Sequence, residues 1–357
     1  MRKWLLSFLR NILPLKKYMY AHLIVNNITG LSYQALFNYI KYRLNSKKPG
    51  PIMKGYGPVM SSIYVTRRCN LSCSFCIMPK LPEKCKVSDL DADVDKIRKI
   101  MEHPLIKKCL HIVITGGEPL LVPEIGGIVR LVKQHGHFVS IITNGTLLMR
   151  RIEELKQNRA DIISVSLYEN NMQQLADILP RANAVFPCRA NKLIRRSDLE
   201  KYPERIEEAI RLAKDTGCFG IYMANYLPQG GESSDEVIYD DNIYYDNFKE
   251  EIGKKYDNYP IYWASPLKRN IGEKDKLCRM PWYYLLTDIK GNMGLCCNYP
   301  IDHSGEEYGN LFAEPLEDTL NHPSKTAIRR ILLANSSFVP EKCSQCYILS
   351  DQWGSNL

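Results

Sequence analysis

From about residue 58 onward, short apolar runs rich in β-branched residues alternate with stretches whose apolar positions recur every three or four residues. The runs at 63–66, 111–115, 138–143, 162–167, 184–188 and 220–225 have the length and composition of buried strands. Between them, 94–101, 125–135, 151–157, 172–179 and 202–216 carry the helical period. Six strand–helix units in series imply a parallel sheet, because parallel neighbours need a crossover and a helix supplies it. Such units curl into a barrel or stay open as a doubly wound sheet, and periodicity alone does not choose between them.

Upstream, Leu31, Ala35, Leu36, Tyr39, Ile40 and Leu44 predict one helix. Trp4, Leu5, Phe8, Leu9, Ile12 and Leu13, with Arg2, Lys3, Arg10, Lys16 and Lys17 around them, predict a basic amphipathic one. Two such helices can shield each other's apolar faces, and 46–51 (Ser-Lys-Lys-Pro-Gly-Pro) ends the extension in a turn-rich linker. The overall charge of +9 hides a strong asymmetry. Up to Pro82 there are 13 Lys and Arg and no acid, so the rest of the chain sums to about −4. This extension either docks on the main domain or contacts an acidic partner or an anionic membrane surface. The first apolar run is broken by Arg10 with no small-residue cleavage site after it, and no stretch is long enough to span a bilayer. With 12 cysteines in 357 residues, disulfide scaffolding is a poor explanation. A reducing compartment, the cytoplasm, is expected, with peripheral contact at the membrane surface as the open question. No nucleic-acid partner is expected.

Candidate chemistry begins with Cys69, Cys73 and Cys76, a Cys-x3-Cys-x2-Cys loop just past the first strand. Three soft thiolates in one loop suit an iron–sulfur cluster and leave one iron open, which is where a ligand can bind. Forty residues on, the run 111–115 ends in Gly116-Gly117-Glu118-Pro119, where two glycines permit close backbone approach and a carboxylate can accept from an ammonium group. Together these motifs resemble the radical S-adenosylmethionine (SAM) enzymes. The resemblance implies a partial (β/α)6 TIM-like barrel with SAM across the C-terminal strand ends. It further implies a [4Fe–4S] cluster on Cys69, Cys73 and Cys76, Phe75 near the adenine, and Gly116, Gly117, Glu118 and Pro119 holding the SAM amino group. Thr143-Asn144-Gly145 resembles the family's turn beside SAM, and Ser166 falls in a segment resembling one whose serine contacts ribose or carboxylate. Tyr168 stands where that segment has an aspartate. Arg189 and Asn191 are candidate SAM contacts, and 223–225 ends the sixth strand in a similar position.

The C-terminal third carries a second thiol set: Cys278, the pair Cys296–Cys297, and Cys343-x2-Cys346. Lys290-Gly-Asn-Met reads as a hairpin turn that would bring Cys278 and Cys296 together. Four thiolates would suit zinc as well as iron. In context the region resembles the SPASM or shortened Twitch auxiliary-cluster domains appended to many radical SAM enzymes. Five cysteines cannot hold two full clusters. The expectation is therefore one auxiliary [4Fe–4S] cluster on Cys278, Cys296, Cys343 and Cys346, with Cys297 spare. Cys85, Cys109, Cys188 and Cys218 read as buried free thiols, Cys85 or Cys188 being the candidate if a hydrogen-atom donor is needed.

The expected division is a helical extension at 1–57, a radical SAM core at 58–265 and a small auxiliary domain at 266–357. By resemblance, an electron from a flavodoxin- or ferredoxin-type donor cleaves SAM reductively to a 5′-deoxyadenosyl radical, which abstracts hydrogen from a substrate C–H bond. An auxiliary cluster can then accept an electron, giving net oxidation. The expected substrate is a peptide or protein. The alternatives are a sugar or aminocyclitol in a natural-product pathway, handled by a dehydrogenase or epimerase, and, from another class, a non-catalytic cluster-binding protein at a membrane surface. Tyr239–Tyr262, with Asp240, Asp241 and Asp246, reads as a solvated loop or a polar pocket wall.

Overall fold

The computed structural model describes residues 30–78, 87–227, 234–270, 278–297, 301, 308–334, 338 and 340–346. Its centre is one nine-stranded sheet, ordered β7-β6-β5-β4-β3-β2-β1-β8-β9. The strands are β1 (Met60–Thr66), β2 (His111–Gly116), β3 (Phe138–Thr143), β4 (Ile162–Leu167), β5 (Cys188–Ile194), β6 (Ile221–Asn225), β7 (Ile261–Trp263), β8 (Tyr284–Asp288) and β9 (Met293–Gly294). All neighbours pair in parallel except the β8–β9 hairpin. The result is an open, barrel-like α/β sheet, the partial (β/α)6 architecture expected, lengthened by β7 on one side and by β8–β9 on the other.

The longer helices among the described residues are α1 (Tyr33–Asn45), α2 (Val94–Glu102), α3 (Ile125–Gln134), α4 (Leu148–Gln157), α5 (Met172–Asn183), α6 (Pro203–Asp215), α7 (Ile243–Lys255) and α8 (Pro323–Leu333). Apolar stripes such as Ile97, Ile100 and Met101 on α2 and Ile128, Val129 and Val132 on α3 are buried. Alternation along the strands divides the sheet into two faces. Val165, Leu167, Ala190 and Met223 are fully buried on the helix-covered face. The register aligns Ser164 with Arg189, and Ser166 with Asn191, Tyr222 and Tyr262, in rows on the other face. Apart from buried Ser164, these residues are only partly covered, so this inner face is polar and open.

Three expectations are corrected. The fifth strand is Cys188–Ile194, not 184–188. Pro187 brings no N–H to a ladder, while Ala190, Lys192 and Ile194 bury one face of a strand that Arg189, Asn191 and the buried Lys192 disguise. The Tyr-rich segment is no solvated loop: it holds α7 and β7, with Tyr262 stacked on Tyr222 at 5.0 Å. On α1 the buried residues are Ala35, Asn38 and Tyr42, whereas Leu36, Ile40 and Leu44 of the expected apolar face are exposed. The basic amphipathic stretch at 4–13 and Cys85 lie outside the described residues.

α1 is fastened across the N-terminal ends of the strands. The Asn38 amide donates to the carbonyls of Gly57, Pro58 and Lys108 (3.0–3.2 Å) and accepts from the Gly57 N–H at 2.7 Å. Ser32 N–H donates to the Gly136 carbonyl, and Tyr42 packs on Tyr283 and Tyr56. These partners lie just before β1, β2, β3 and β8. At the other end of the chain, buried Arg329 of α8 donates to the carbonyls of Pro281 and Leu320 and to Asn321 Oδ1 (3.0–3.1 Å), tying α8 to the turn that follows Cys278.

Candidate active site

The C-terminal ends of β1 to β4 are knitted into one polar network. β1 runs on past Thr66 so that the Gly117 and Glu118 N–H groups donate to the carbonyls of Thr66 and Arg68 at 2.8 Å. This approach requires glycine: a Cβ at Gly116 would lie 2.2 Å from the Thr66 carbonyl oxygen, and one at Gly117 would lie 2.1 Å from that of Arg68. Glu118 is fully buried. One carboxylate oxygen accepts from Leu120 N–H (3.0 Å) and Thr143 Oγ1 (2.7 Å), and the other from Asn144 N–H (2.8 Å). Three of its roughly four acceptor positions are thus used within the protein. Burial pushes its pKa up, against the pull of those three donors.

Asn144 carries the network to the cysteine loop. Its Nδ2 donates to Asn70 Oδ1 at 2.9 Å and lies 4.0 Å from the Cys69 sulfur, while Asn70 Nδ2 donates to Thr146 Oγ1 at 2.9 Å. Asn171 joins the next strand, its Nδ2 donating to the carbonyls of Asn144 and Ser166 (2.9 and 3.0 Å) and its Oδ1 accepting from Tyr168 N–H. Tyr168, where the sequence departs from the family pattern, packs on Phe75 with ring centroids 5.4 Å apart. Arg195, just past β5, covers Phe75 with its guanidinium 5.1 Å from the ring centroid.

Cys69 and Cys76 are exposed and Cys73 half-buried. Cys73 has its thiol pKa pushed up to about 11 by burial and then by its neighbours Cys76 and Cys69, with Arg195 opposing. Leu71 N–H points at the Cys69 sulfur at 3.4 Å. Three accessible thiols that repel one another's ionisation, with N–H donors toward sulfur, are a donor set that a cationic iron cluster would stabilise as thiolates.

The second thiol set brackets the β8–β9 hairpin in sequence, Cys278 before it and the other four cysteines after it. Burial pushes the Cys278 pKa well up, followed by the charges of Cys346, Cys343 and Cys297. At least Cys297 of the adjacent pair is thus felt by Cys278. Among the described residues no three His, Cys, Asp or Glu side chains could together hold a single metal ion. A cluster spreads its thiolates over several irons and does not require that convergence. Tyr64 on β1 relates the two sets: its buried phenol is within electrostatic reach of Cys297, Cys296 and Cys76. Cys109, Cys188 and Cys218 are buried, as expected.

Sequence reading missed Tyr64, Asn70, Asn171 and Arg195. Each acts across strands, and only the Cys69–Asn70 adjacency hinted at any of them.

Residues 63–239 match the Radical SAM superfamily, and 278–347 match the iron–sulfur cluster-binding SPASM domain. The chain belongs to the radical SAM superfamily and carries an appended iron–sulfur domain. It is 23% identical over 284 residues to the antilisterial bacteriocin subtilosin biosynthesis protein AlbA of Bacillus subtilis, covering 74% of this chain and 60% of AlbA. It is 30% identical over 194 residues to the AdoMet-dependent heme synthase of Methanosarcina barkeri, covering 48% and 52% of the two chains. The chain therefore spans only about half to three fifths of these relatives' length. The crystal structure of Streptococcus suis SuiB bound to precursor peptide SuiA superposes with a TM-score of 0.61 at 18% identity, covering 88% of this chain and 73% of SuiB. The two domains imply SAM, a [4Fe–4S] cluster and auxiliary iron–sulfur binding, and both thiol sets fit such groups.

Proposed function

We propose that this chain is a radical SAM enzyme that oxidatively modifies a peptide or protein. The observation that carries the reading is the network of Glu118, Thr143, Asn144 and Asn70 that ties the strand exits to the Cys69 loop, at one end of an open polar sheet face. When bound, the cluster and SAM supply a one-electron cleavage that yields a hydrogen-abstracting radical. Cys69, Cys73 and Cys76 hold that cluster, and the Gly116–Pro119 segment orients the SAM amino group, with Glu118 locking the exits of β2 and β3 together. Phe75, gripped between Tyr168 and Arg195, presents a fixed aromatic surface to the adenine. Thr143, Asn144, Ser166 and Arg189 complete the polar wall. The auxiliary cluster rests on Cys278, Cys343, Cys346 and one thiol of the Cys296–Cys297 pair; resemblance supports Cys296 and proximity supports Cys297.

The kinship with AlbA, a bacteriocin biosynthesis protein, supports the peptide substrate. Five C-terminal cysteines, enough for one four-thiolate set, favour the second reading, a small-molecule dehydrogenase. The domain division at 1–57, 58–265 and 266–357, a flavodoxin- or ferredoxin-type donor, a cytoplasmic location and contact between the basic extension and an anionic membrane belong to the same proposal. No helix among the described residues is long and apolar enough to cross a membrane.

The test is iron and acid-labile sulfide per chain after anaerobic reconstitution, in wild type and in the Cys69→Ala/Cys73→Ala/Cys76→Ala variant. About eight irons falling to about four supports the reading. About four falling to none removes the auxiliary electron acceptor from it.

A further inference from the structure

α1 presents a second face that the fold leaves uncovered. Tyr33, Leu36, Phe37, Ile40 and Leu44 follow helical spacing, and all five are exposed, Tyr33 at 90% and Leu44 at 69%. The opposite face, Ala35, Asn38 and Tyr42, is the one docked on the domain. Five large apolar side chains in one stripe form the kind of exposed patch that marks an interaction surface. The charges around it in the sequence are of one sign. Lys41 lies over the Phe37 ring at 4.5 Å, Arg43, Lys47, Lys48 and Lys54 follow, and there is no Asp or Glu anywhere from Met1 to Pro82.

We infer that α1 is the membrane-inserting element of the chain and that it sets the domain's orientation on an anionic lipid surface. This rests on the membrane-contact part of the function proposed above and assigns that contact to a particular helix face. An apolar stripe flanked only by cations matches the boundary between acyl chains and anionic headgroups: the aromatic and aliphatic side chains bury while Lys and Arg stay at headgroup level. The basic residues preceding α1 in the sequence add to the same attraction. The fold then dictates direction. α1 is fastened to the segments entering β1, β2, β3 and β8, the N-terminal end of the sheet, whereas Cys69, Cys73, Cys76 and Glu118 sit at the C-terminal end. A domain held by α1 keeps its reactive mouth turned away from the bilayer, open to a substrate arriving from the aqueous side.

The test uses the full chain with vesicles of phosphatidylcholine alone or mixed with phosphatidylglycerol, read by cosedimentation at low and high salt and by hydrogen exchange. Two variants accompany it: Tyr33→Ser/Phe37→Ser/Leu44→Ser, whose positions are exposed and do not threaten the fold, and Arg10→Gln/Lys16→Gln/Lys17→Gln. We expect binding only to the anionic vesicles, weakened by salt, and lowered at least about tenfold by the stripe variant. α1 amides should gain protection on vesicles, while those of residues 69–76 do not. Wild type failing to bind at low salt overturns both the inference and the membrane reading beneath it. Binding lost in the charge variant but kept in the stripe variant overturns the inference alone. Protection appearing at 69–76 overturns the orientation. A wild-type oligomer that the stripe variant dissociates, with vesicle binding unchanged, assigns the stripe to a second copy of the chain and overturns the inference.

Discussion

Replacing Glu118 separates a positioning role for this carboxylate from a purely ligand-contacting one. In Glu118→Gln, an amide has one acceptor oxygen where the carboxylate has two. If that oxygen faces Leu120 and Thr143, the NH2 opposes the Asn144 N–H. If it is flipped, the NH2 opposes the Leu120 N–H, and Thr143 Oγ1, which accepts from the Gly145 N–H, gives limited relief. Either way one buried donor is orphaned. Hydrogen bonds to charged groups contribute about 1.5–3 kcal/mol, and removing a buried charge returns part of that, so a net loss of about 2 kcal/mol is expected. Glu118→Ala orphans three donors and leaves a cavity, for a loss of roughly 5 kcal/mol. The pH dependence has a definite sign. Because burial raises the folded-state pKa, the folded state holds its proton more tightly, so this group's stabilisation is full below the unfolded pKa and is lost as pH rises through the folded value. The wild-type advantage over Glu118→Gln should therefore be larger in mild acid than at neutral pH. Urea midpoints at both pH values, with hydrogen exchange of the Asn144 and Leu120 amides, measure this without SAM or cluster. Unchanged amide protection and midpoint in Glu118→Ala would refute the claim that the carboxylate ties β2 to β3.

Three further outcomes are expected. In reconstituted protein, one of Cys296→Ser and Cys297→Ser should lower iron by about four per chain while the other retains it; iron unchanged in both would remove the pair from the auxiliary site. Arg195→Ala should loosen the cysteine loop, shown by faster iron release to a chelator, and lower the loop cluster's midpoint potential by tens of millivolts, whereas Arg195→Lys should preserve the potential and lose only the ring contact. His111 and His137 are buried with their pKa values pushed down to about 3 and about 4, chiefly by desolvation. Depressed values mean stability present above the unfolded pKa near 6.5 and lost as pH falls, at about 1.4 kcal/mol per unit for each histidine; His137→Gln should flatten the acid limb of the urea midpoint.

The strands β3 and β4 and the helices α2 and α3 were legible to within a residue, because each is a run whose apolar residues all meet the core and whose period is undisturbed by chemistry. β5 was not, because its inner face carries Arg189 and Asn191 and its buried face carries Lys192, paired with Glu169; local propensity cannot foresee a partner 23 residues away. α1 was found, but turned: Ala35 of the expected face stays buried while Leu36, Ile40 and Leu44 face outward. Its buried side is chosen by Asn38, whose amide satisfies three carbonyls at the bottom of the sheet, and a polar anchor overrides an apolar stripe that finds no surface in the fold.

The sequence by itself determined the chemistry class, because thiol spacing and the Gly-Gly-Glu-Pro turn are local features whose function depends on a few adjacent residues. Only the tertiary structure decided how those features act together. It turned Glu118 inward as the tie between strand exits, set Arg195 over Phe75, and carried the network through Asn144 to Asn70 and the Cys69 loop. Each of these depends on register between strands distant in sequence, where a shift of one residue would turn the side chain to the opposite face.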